Sequence, residues 1–139
     1  FESGYKGATT TAEAQKNAST QSMNTYMKTK MFETILDVVS EETEVSKDDI
    51  LSIRKDDEVL EARILFVWFC HQYDMHVPDI MRFLGRKSES AVTNKIRSYH
   101  TWSATKSMFR YYARKIAAVL PSRIEEVMEA DIQSVLQTK

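Results

Sequence analysis

Residues 77–99 of this chain read VPDIMRFLGRKSESAVTNKIRSY, and this stretch decides the fold. Its proline opens a first helix, because the first helical turn requires no amide donor at that position. Gly85 ends that helix, and Ser88 is suited to cap a second one. The second helix has an inward stripe at helical spacing: Val92, Ile96 and Tyr99. A short helix, a glycine turn and a second helix with a polar start predict a helix-turn-helix.

Charge is distributed unevenly along the chain, although the net charge is only −1. Residues 82–123 hold ten lysines and arginines and one acid, whereas residues 33–61 hold eleven acids and three cations. A basic region suits a phosphate backbone, since each neutralised phosphate releases counterions. The alternative is a basic face that pairs with the acidic region of the same chain or of a partner. Charge favours DNA or RNA binding over this alternative and leaves both open.

Composition and periodicity predict an all-α protein. The 139 residues allow one domain of about 100 residues plus a tail. Only three glycines and two prolines interrupt long runs with a period of 3.6, and no stretch alternates with period two. Residues 1–24 are rich in Ser, Thr, Ala, Asn and Gln, and we expect a disordered, flexible tail there. Residues 25–139 then form a single helical domain.

Apolar periodicity places further helices on both sides of the helix-turn-helix. Before it we expect helices at about 27–39, 46–53 and 59–73, the second capped by Ser46. The third is apolar nearly all round and is the expected central core helix. After it the pattern predicts extra C-terminal helices at about 104–120 and 122–137, divided by Pro121.

Cysteine use and hydropathy bear on location. The solitary Cys70 lies in the apolar run LFVWFC, so it is expected to be a buried thiol in a reducing cytosol. The longest apolar run is too short to span a bilayer, and no signal peptide is visible. We therefore expect a cytoplasmic protein without a membrane partner. A start at Phe1 rather than Met is expected for a fragment or for a processed chain, with sequence missing upstream.

Catalytic patterns are weak. Cys70, His71 and His76 are not spaced to place three metal ligands on one helix face, so an ordinary buried cysteine with two histidines is the better interpretation. No Ser/His/Asp set is spaced informatively. The sequence predicts no enzyme, no metal site and no cofactor.

Residues 45–99 also resemble a known family. The matching pieces are VSKDDILSIRKDDEVLEARILFVWF and VPDIMRFLGRKSESAVTNKIRSY. They are similar to the C-terminal DNA-binding domain of the bacterial replication initiator DnaA, a Trp-repressor-like helical fold. The family's alanine-arginine pair is matched by Ala62-Arg63, and its "Pro, acid, Ile" helix opening by residues 78–80. Its hallmark Phe-Gly-Gly-Arg-Asp-His-Ser/Thr-Thr-Val falls on residues 84–92. The resemblance covers roughly 55 residues and implies a DNA-binding scaffold.

Departures from the family pattern concern base reading. Ser88-Glu89 replaces the Asp-His pair that reads base edges, and Ala91 stands at the second hydroxyl position. The basic loop is matched by Arg54-Lys55, followed at once by three acids at residues 56–58. The sequence holds no Walker-type glycine-rich loop, so the initiator's ATPase half is absent and no nucleotide is expected. The chain is not expected to be a replication initiator that recognises the initiator's own DNA box.

The predicted DNA contacts are Arg54, Lys55, Arg86, Lys87, Ser88, Glu89, Ser90, Asn94 and Lys95. Arg86 and Lys87 are the strongest phosphate candidates. Ser88 and Ser90 either donate to DNA or only cap the helix. Glu89 either accepts from cytosine or is there for the helix dipole.

The remaining candidate contacts have alternatives too. Asn94 and Lys95 are expected to point outward one turn further on, where asparagine suits adenine and lysine suits guanine or phosphate. Arg54 either reaches a minor groove or lies in a solvated loop.

A second basic segment follows the helix-turn-helix. In residues 102–115, cations alternate with aromatic residues, a pattern that suits single-stranded nucleic acid but more often marks a helix with an aromatic core face. The C-terminal helices are also candidates for a homodimer interface. We expect a non-enzymatic protein that binds double-stranded DNA, as a regulator or accessory factor in replication, in transcription or of a mobile element. The alternative is a protein-interaction or structural adaptor that keeps the fold without reading DNA.

Overall fold

The structure is a computed structural model that describes residues 11–137, with side chains described for residues 25–130, 132 and 133. In this part of the chain there are six α-helices and no strands, so the prediction of an all-α helix-turn-helix domain is confirmed. The chain divides into two compact units between Lys30 and Met31. Among the described residues, no helix combines the length and apolarity that crossing a bilayer requires.

Helix α1 (Thr11–Thr43) contributes to both units. In the first unit, the Lys30 ammonium lies 5.6 Å from the centroid of the Tyr26 ring. In the second unit, α1 buries apolar side chains in the core: Phe32, Ile35, Leu36, Val38 and Val39.

Helix α1 begins before the helix predicted at about 27–39, within residues 1–24, for which a disordered tail is predicted. The helix begins at Thr11, inside that stretch, whose first ten residues lie outside the described part of the chain. Alanine, glutamine, glutamate and lysine in TAEAQK are good helix formers, and this local propensity favours the helix although the stretch is polar. The division into a tail and a domain of residues 25–139 stays a prediction.

Helices α2 (Lys47–Leu51) and α3 (Asp57–Gln72) follow, close to the predicted positions. The Ser46 hydroxyl accepts a hydrogen bond from the Asp49 amide at 3.1 Å, so the predicted N-cap is confirmed. Helix α3 is buried on nearly all sides and contacts α2, α4 and α5. It is therefore the central core helix, as its sequence predicted.

Helices α4 (Val77–Leu84) and α5 (Glu89–Thr105) form the helix-turn-helix. Aromatic pairs join it to the core, where the Phe83 ring stacks on Phe32 with centroids 4.7 Å apart. On the other side of α3, the Trp68 and Tyr99 rings stack with centroids 3.9 Å apart. These contacts fix α4 and α5 against the first helices of the unit.

Helix α6 (Ser107–Gln137) corrects the predicted C-terminal helices. Helix α5 extends to Thr105, and α6 continues through Pro121, so the predicted break at Pro121 is wrong. Proline removes one backbone hydrogen bond and strains a helix interior. Here Pro121 is exposed, and Leu120 and Ile124 are buried on either side of it, so packing holds both halves of the helix on the core.

Candidate nucleic-acid interface

The turn between α4 and α5 is built as its sequence predicts. Gly85 has a φ of 71°, the left-handed conformation that glycine adopts without a side-chain penalty. The Arg86 amide donates to the Met81 carbonyl at 2.9 Å, which closes the end of α4. The Ser88 hydroxyl caps α5 by accepting from the Ala91 amide at 3.4 Å. These local bonds fix the direction in which α5 leaves the turn.

Helix α5 packs one side on the core and leaves its first three turns open on the other. Val92 is fully buried, and Ile96 and Tyr99 are half-buried against the same core. Five of the predicted contacts are exposed at the start of α5 or just before it: Lys87, Ser88, Glu89, Ser90 and Asn94. The structure therefore brings these predicted residues together on one accessible surface.

Arg97 was not predicted as a contact, yet it belongs to this surface. It is exposed and follows Ser90 and Asn94 at the spacing i, i+4 and i+7, which places all three on one face of α5. In the described part of the chain neither Lys87 nor Arg97 has an ion pair, so both charges remain available to a ligand. Helical spacing counted from Ser90 was the signal that could have identified Arg97.

A basic cavity of about 380 Å³ lies beside α5. Its apolar wall is Ile53 and Leu60, and its charged wall comes from four separate segments: Lys55, Arg63, Arg86 and Lys95. No carboxylate is among these lining residues. The loop between α2 and α3, α3 itself, the turn and α5 thus converge on one positively charged concavity.

Arg63 was not predicted as a site residue beyond the family's alanine-arginine pair. Arg63 is 2% exposed as a residue, and its guanidinium donates to the carbonyls of Ile50, Ser52 and Arg54 at 2.8 Å each, and to that of Asp49 at 3.1 Å. Burial lowers its pKa, and the charge of Arg86 lowers it further. Arg63 therefore holds the loop between α2 and α3 in place. Local sequence patterns could not have revealed these bonds, because they join Arg63 to residues 9 to 14 positions earlier in the chain.

Arg86 supports the same loop from the turn. Its guanidinium donates to the Ser52 carbonyl at 2.8 Å and to the Leu84 carbonyl at 3.1 Å. Ser52 thus accepts from both Arg63 and Arg86, which ties the loop to α3 and to the turn. Predicted as a phosphate contact, Arg86 is half-buried and already has two hydrogen-bond partners.

Lys95 is half-buried in the wall of the basic cavity rather than outward-pointing as predicted. Its ammonium donates to the Ala91 carbonyl at 3.2 Å. Burial lowers its pKa, and the charges of Arg86, Arg63 and Lys55 lower it further, in that order. Among the described residues it has no ion pair, so its positive charge is compensated only by a carbonyl dipole.

Arg54 and Lys55 were predicted together and have different environments. Arg54 forms ion pairs with Asp49 at 3.2 Å and with Asp56, and these carboxylates raise its pKa. Lys55 lines the basic cavity and has no ion pair within the described part of the chain. Asp56, which follows the loop, and Asp49 of α2 therefore neutralise Arg54, whereas Lys55 keeps its charge.

A second cavity, of about 490 Å³, lies among α3, α5 and α6, and we call it the aromatic cavity. It is lined by Trp68, Tyr73 and Tyr99, with Arg110 and Arg114 from α6. The pattern that suggested single-stranded nucleic acid is largely core here, since Phe109 is fully buried. Arg110 donates to the Ser103 carbonyl at 2.9 Å.

The residues considered as metal ligands, Cys70, His71 and His76, have different environments. Cys70 is fully buried, and burial raises its pKa well above the ordinary value. His71 and His76 are exposed. In the part of the chain that the structure describes, no group of three His, Cys, Asp or Glu side chains is placed to hold a metal ion.

Comparison with known proteins identifies the helix-turn-helix. Residues 32–98 match the family model described as "Bacterial dnaA protein helix-turn-helix". No curated protein gives a significant match to the chain. The matched segment begins within α1, includes α2, α3 and α4, and ends in α5, so it contains the basic cavity and the open surface of α5. The resemblance predicted from the sequence is confirmed: residues 32–98, just under half of the chain, are similar to the helix-turn-helix domain of bacterial DnaA proteins.

Proposed function

We propose that this protein binds double-stranded DNA, with the start of α5 in the major groove and a backbone phosphate at the basic cavity. The basic cavity is the observation that carries the proposal. Its four cations come from four segments and have no carboxylate among them. Like charges held together in a partly desolvated site favour an anionic ligand, which relieves their mutual repulsion.

The four cations have different parts in this proposal. Arg63 and Arg86 already donate to loop and turn carbonyls, so they contribute mainly positive charge and a rigid wall. Lys55 and Lys95 have donors left for phosphate oxygens, since an ammonium carries three. Contacts of this kind set the position of a protein on the duplex without reading its sequence.

Base reading falls to the exposed face of α5 that carries Ser90, Asn94 and Arg97. Asparagine pairs with adenine and arginine with guanine in the major groove. Ser88 and Glu89 stand where the family has its Asp-His pair, so we propose that this chain recognises a sequence other than the initiator's box.

Within this proposal the protein is a non-enzymatic regulator or accessory factor of replication, of transcription or of a mobile element. The match to a helix-turn-helix domain, which is not itself catalytic, supports this role. An adaptor that keeps the fold without reading DNA is the second candidate. The observation in its favour is Arg54, whose charge is already matched by Asp49 and Asp56.

The test is fluorescence anisotropy with random duplex DNA at two salt concentrations. We expect micromolar binding that weakens steeply with salt. Replacing Lys87 and Arg97 together by alanine should weaken binding by roughly tenfold, because two open phosphate or base contacts are lost. Lys115→Ala is the matched control, since Lys115 lies on α6 and pairs with Glu42 at 3.8 Å. A folded protein that fails to bind duplex at low salt would support the adaptor instead.

A further inference from the structure

We infer that this protein forms an antiparallel homodimer through the outward face of α6. A stripe of exposed residues runs along that helix at spacings of three or four, and we call it the outer stripe: Arg114, Ala117, Pro121, Glu125, Met128 and Ile132. This spacing puts all six on one face of the helix. The inner face of α6, with Ile116, Leu120 and Ile124, is buried in the core, whereas the outer stripe is exposed in the described part of the chain and borders the aromatic cavity at Arg114 and Ala117.

The order of charges along α6 selects the direction of pairing. Arg114, with Arg110 one turn before it, lies in the first half of the helix, whereas Glu125 and Glu129 lie in the second half. Parallel pairing of two copies would set arginine against arginine and glutamate against glutamate. Antiparallel pairing sets each arginine against the glutamates of the other copy, so the outer stripe is complementary to itself only in that direction.

Symmetry also fixes the register. An antiparallel pair centred on Pro121 sets Arg114 opposite the second copy's Met128, with Glu125 one turn before that methionine and Glu129 directly after it. The centre of the stripe carries small side chains, Ala117 and Pro121, which allow two helices to approach at the short end of the usual 8–10 Å range. Charge pairing and close approach therefore occur in the same register.

Apolar contacts fit this register as well. Met128 is 43% exposed and Ile132 is 58% exposed, and the two lie one turn apart on the outer stripe. In the antiparallel pair they face the arginines that line the aromatic cavity of the other copy. A methionine side chain fills irregular gaps and packs well against aromatic rings such as Trp68 and Tyr73. Because the pair is two-fold symmetric, the interface buries the exposed apolar end of α6 in both copies.

This inference goes beyond duplex binding and does not depend on it. A two-fold pair would carry two helix-turn-helix units and would match DNA with two half-sites at a fixed spacing. A monomer would bind one half-site, so duplex binding and dimer formation can fail separately.

The test uses sedimentation equilibrium of the full 139-residue chain and two charge-reversal variants. Wild type is expected at twice the monomer mass. Arg114→Glu is expected to be a monomer, because it sets glutamate against Glu125 and Glu129. The variant with both Glu125→Arg and Glu129→Arg is expected to be a monomer for the converse reason. An equimolar mixture of the two variants should recover the dimer mass, since every reversed charge then meets its opposite.

Folding controls keep the result interpretable. Circular dichroism should show that all variants keep the helical content of wild type, and Arg97→Glu, a reversal on α5, should leave the dimer mass unchanged. Wild type at the monomer mass at the highest concentration reached would overturn the inference. So would a wild-type dimer that either variant leaves intact, or a mixture that stays monomeric.

A second readout tests the proposed contact with the aromatic cavity. In a Trp102→Phe background, Trp68 is the remaining tryptophan and reports on that cavity. Dilution through dimer dissociation should shift its emission, and Met128→Asp should remove the shift. An emission that does not change with dilution while the mass halves would overturn the placement of Met128.

Discussion

Two cation-rich regions of this protein, α6 and the turn with α5, are similar in sequence and differ in how their cations are paired. On α6, Arg123 lies 2.9 Å from Glu41 and Lys115 lies 3.8 Å from Glu42, both on α1. At the turn and α5, Lys87, Lys95 and Arg97 have no ion pair within the described residues. Two cations of α6 therefore pair with the acidic region, whereas these three cations of the helix-turn-helix do not.

This difference shows what a count of charges can and cannot indicate. The net charge of residues 82–123 is the same whether or not acids from α1 approach them. Ion pairs on α6 reduce the field that a phosphate backbone would experience there. The unpaired cations beside α5 keep their full charge, so the positive charge available to a phosphate backbone lies at the turn and the start of α5.

The largest expected effect concerns the rigid wall of the basic cavity. Replacing Arg63 by alanine removes four hydrogen bonds to backbone carbonyls of residues 49–54, so we expect a loss of about 3 kcal/mol in the free energy of unfolding. Urea denaturation followed by circular dichroism measures it. Arg97 is an exposed arginine, and Arg97→Ala should change the free energy of unfolding by less than about 0.5 kcal/mol. Equal losses in the two variants would remove the distinction between a structural and an available arginine.

Lys95 is expected to give the next effect, on affinity rather than stability. Lys95→Gln should weaken duplex binding by about tenfold and lower the magnitude of the salt slope by about 1, as for one lost phosphate contact. Lys115→Gln, which removes a paired cation on α6, should leave both quantities unchanged. If the two variants weakened binding equally, the contrast between paired and unpaired cations would have no bearing on DNA affinity.

Titration of Lys95 sharpens the same contrast. Burial and the charges of Arg86, Arg63 and Lys55 lower the pKa of Lys95 in the free protein, and a bound phosphate would raise it again. Above the lowered pKa the free lysine is neutral and must take up a proton to bind. Duplex affinity should therefore fall as pH rises from the lowered value towards that of an ordinary lysine. Anisotropy titrations should show a flat profile over this window for Lys95→Arg, and a wild-type profile equally flat would contradict the prediction.

The smallest effect on the free energy of unfolding is expected for the ion-paired cations of α6. Arg123→Ala breaks an ion pair whose side chains are 32% and 55% exposed, and such pairs contribute about 0.5 kcal/mol or less. A double-mutant cycle with Glu41→Gln isolates the pair's own contribution to unfolding. A coupling energy above about 2 kcal/mol would show that the α6 cations are structural rather than merely neutralised.

The sequence predicted most of the fold because local signals were strong where they mattered. Gly85 and Ser88 sit at a turn and a cap whose geometry depends on neighbours along the chain, and the structure has both. Pro121 misled, because tertiary packing of Leu120 and Ile124 overrides the local penalty of proline. Helix α1 begins earlier than predicted, because two local signals conflict there: the polarity of the segment predicts a tail, whereas its helix propensity favours a helix.

The candidate interface was predictable only in part. Residues at the start of α5 share a face through helical spacing, so their exposure followed from the pattern. The basic cavity did not, because Lys55, Arg63, Arg86 and Lys95 come from four segments separated by many residues. Which cations are paired depends on the same long-range geometry. The contacts themselves remain predictions for Arg54, Lys55 and the other residues proposed to touch DNA.

The single cysteine of the chain has a practical consequence. Cys70 is fully buried, and its raised pKa keeps it as a thiol, the form that reacts poorly with alkylating reagents. A cysteine introduced at an exposed position on α5, such as Asn94, would therefore take a maleimide label while the native thiol stays unmodified in the folded protein. Spin labels attached in this way would measure the separation of the two recognition helices in a dimer, without a cysteine-free background that disturbs the core.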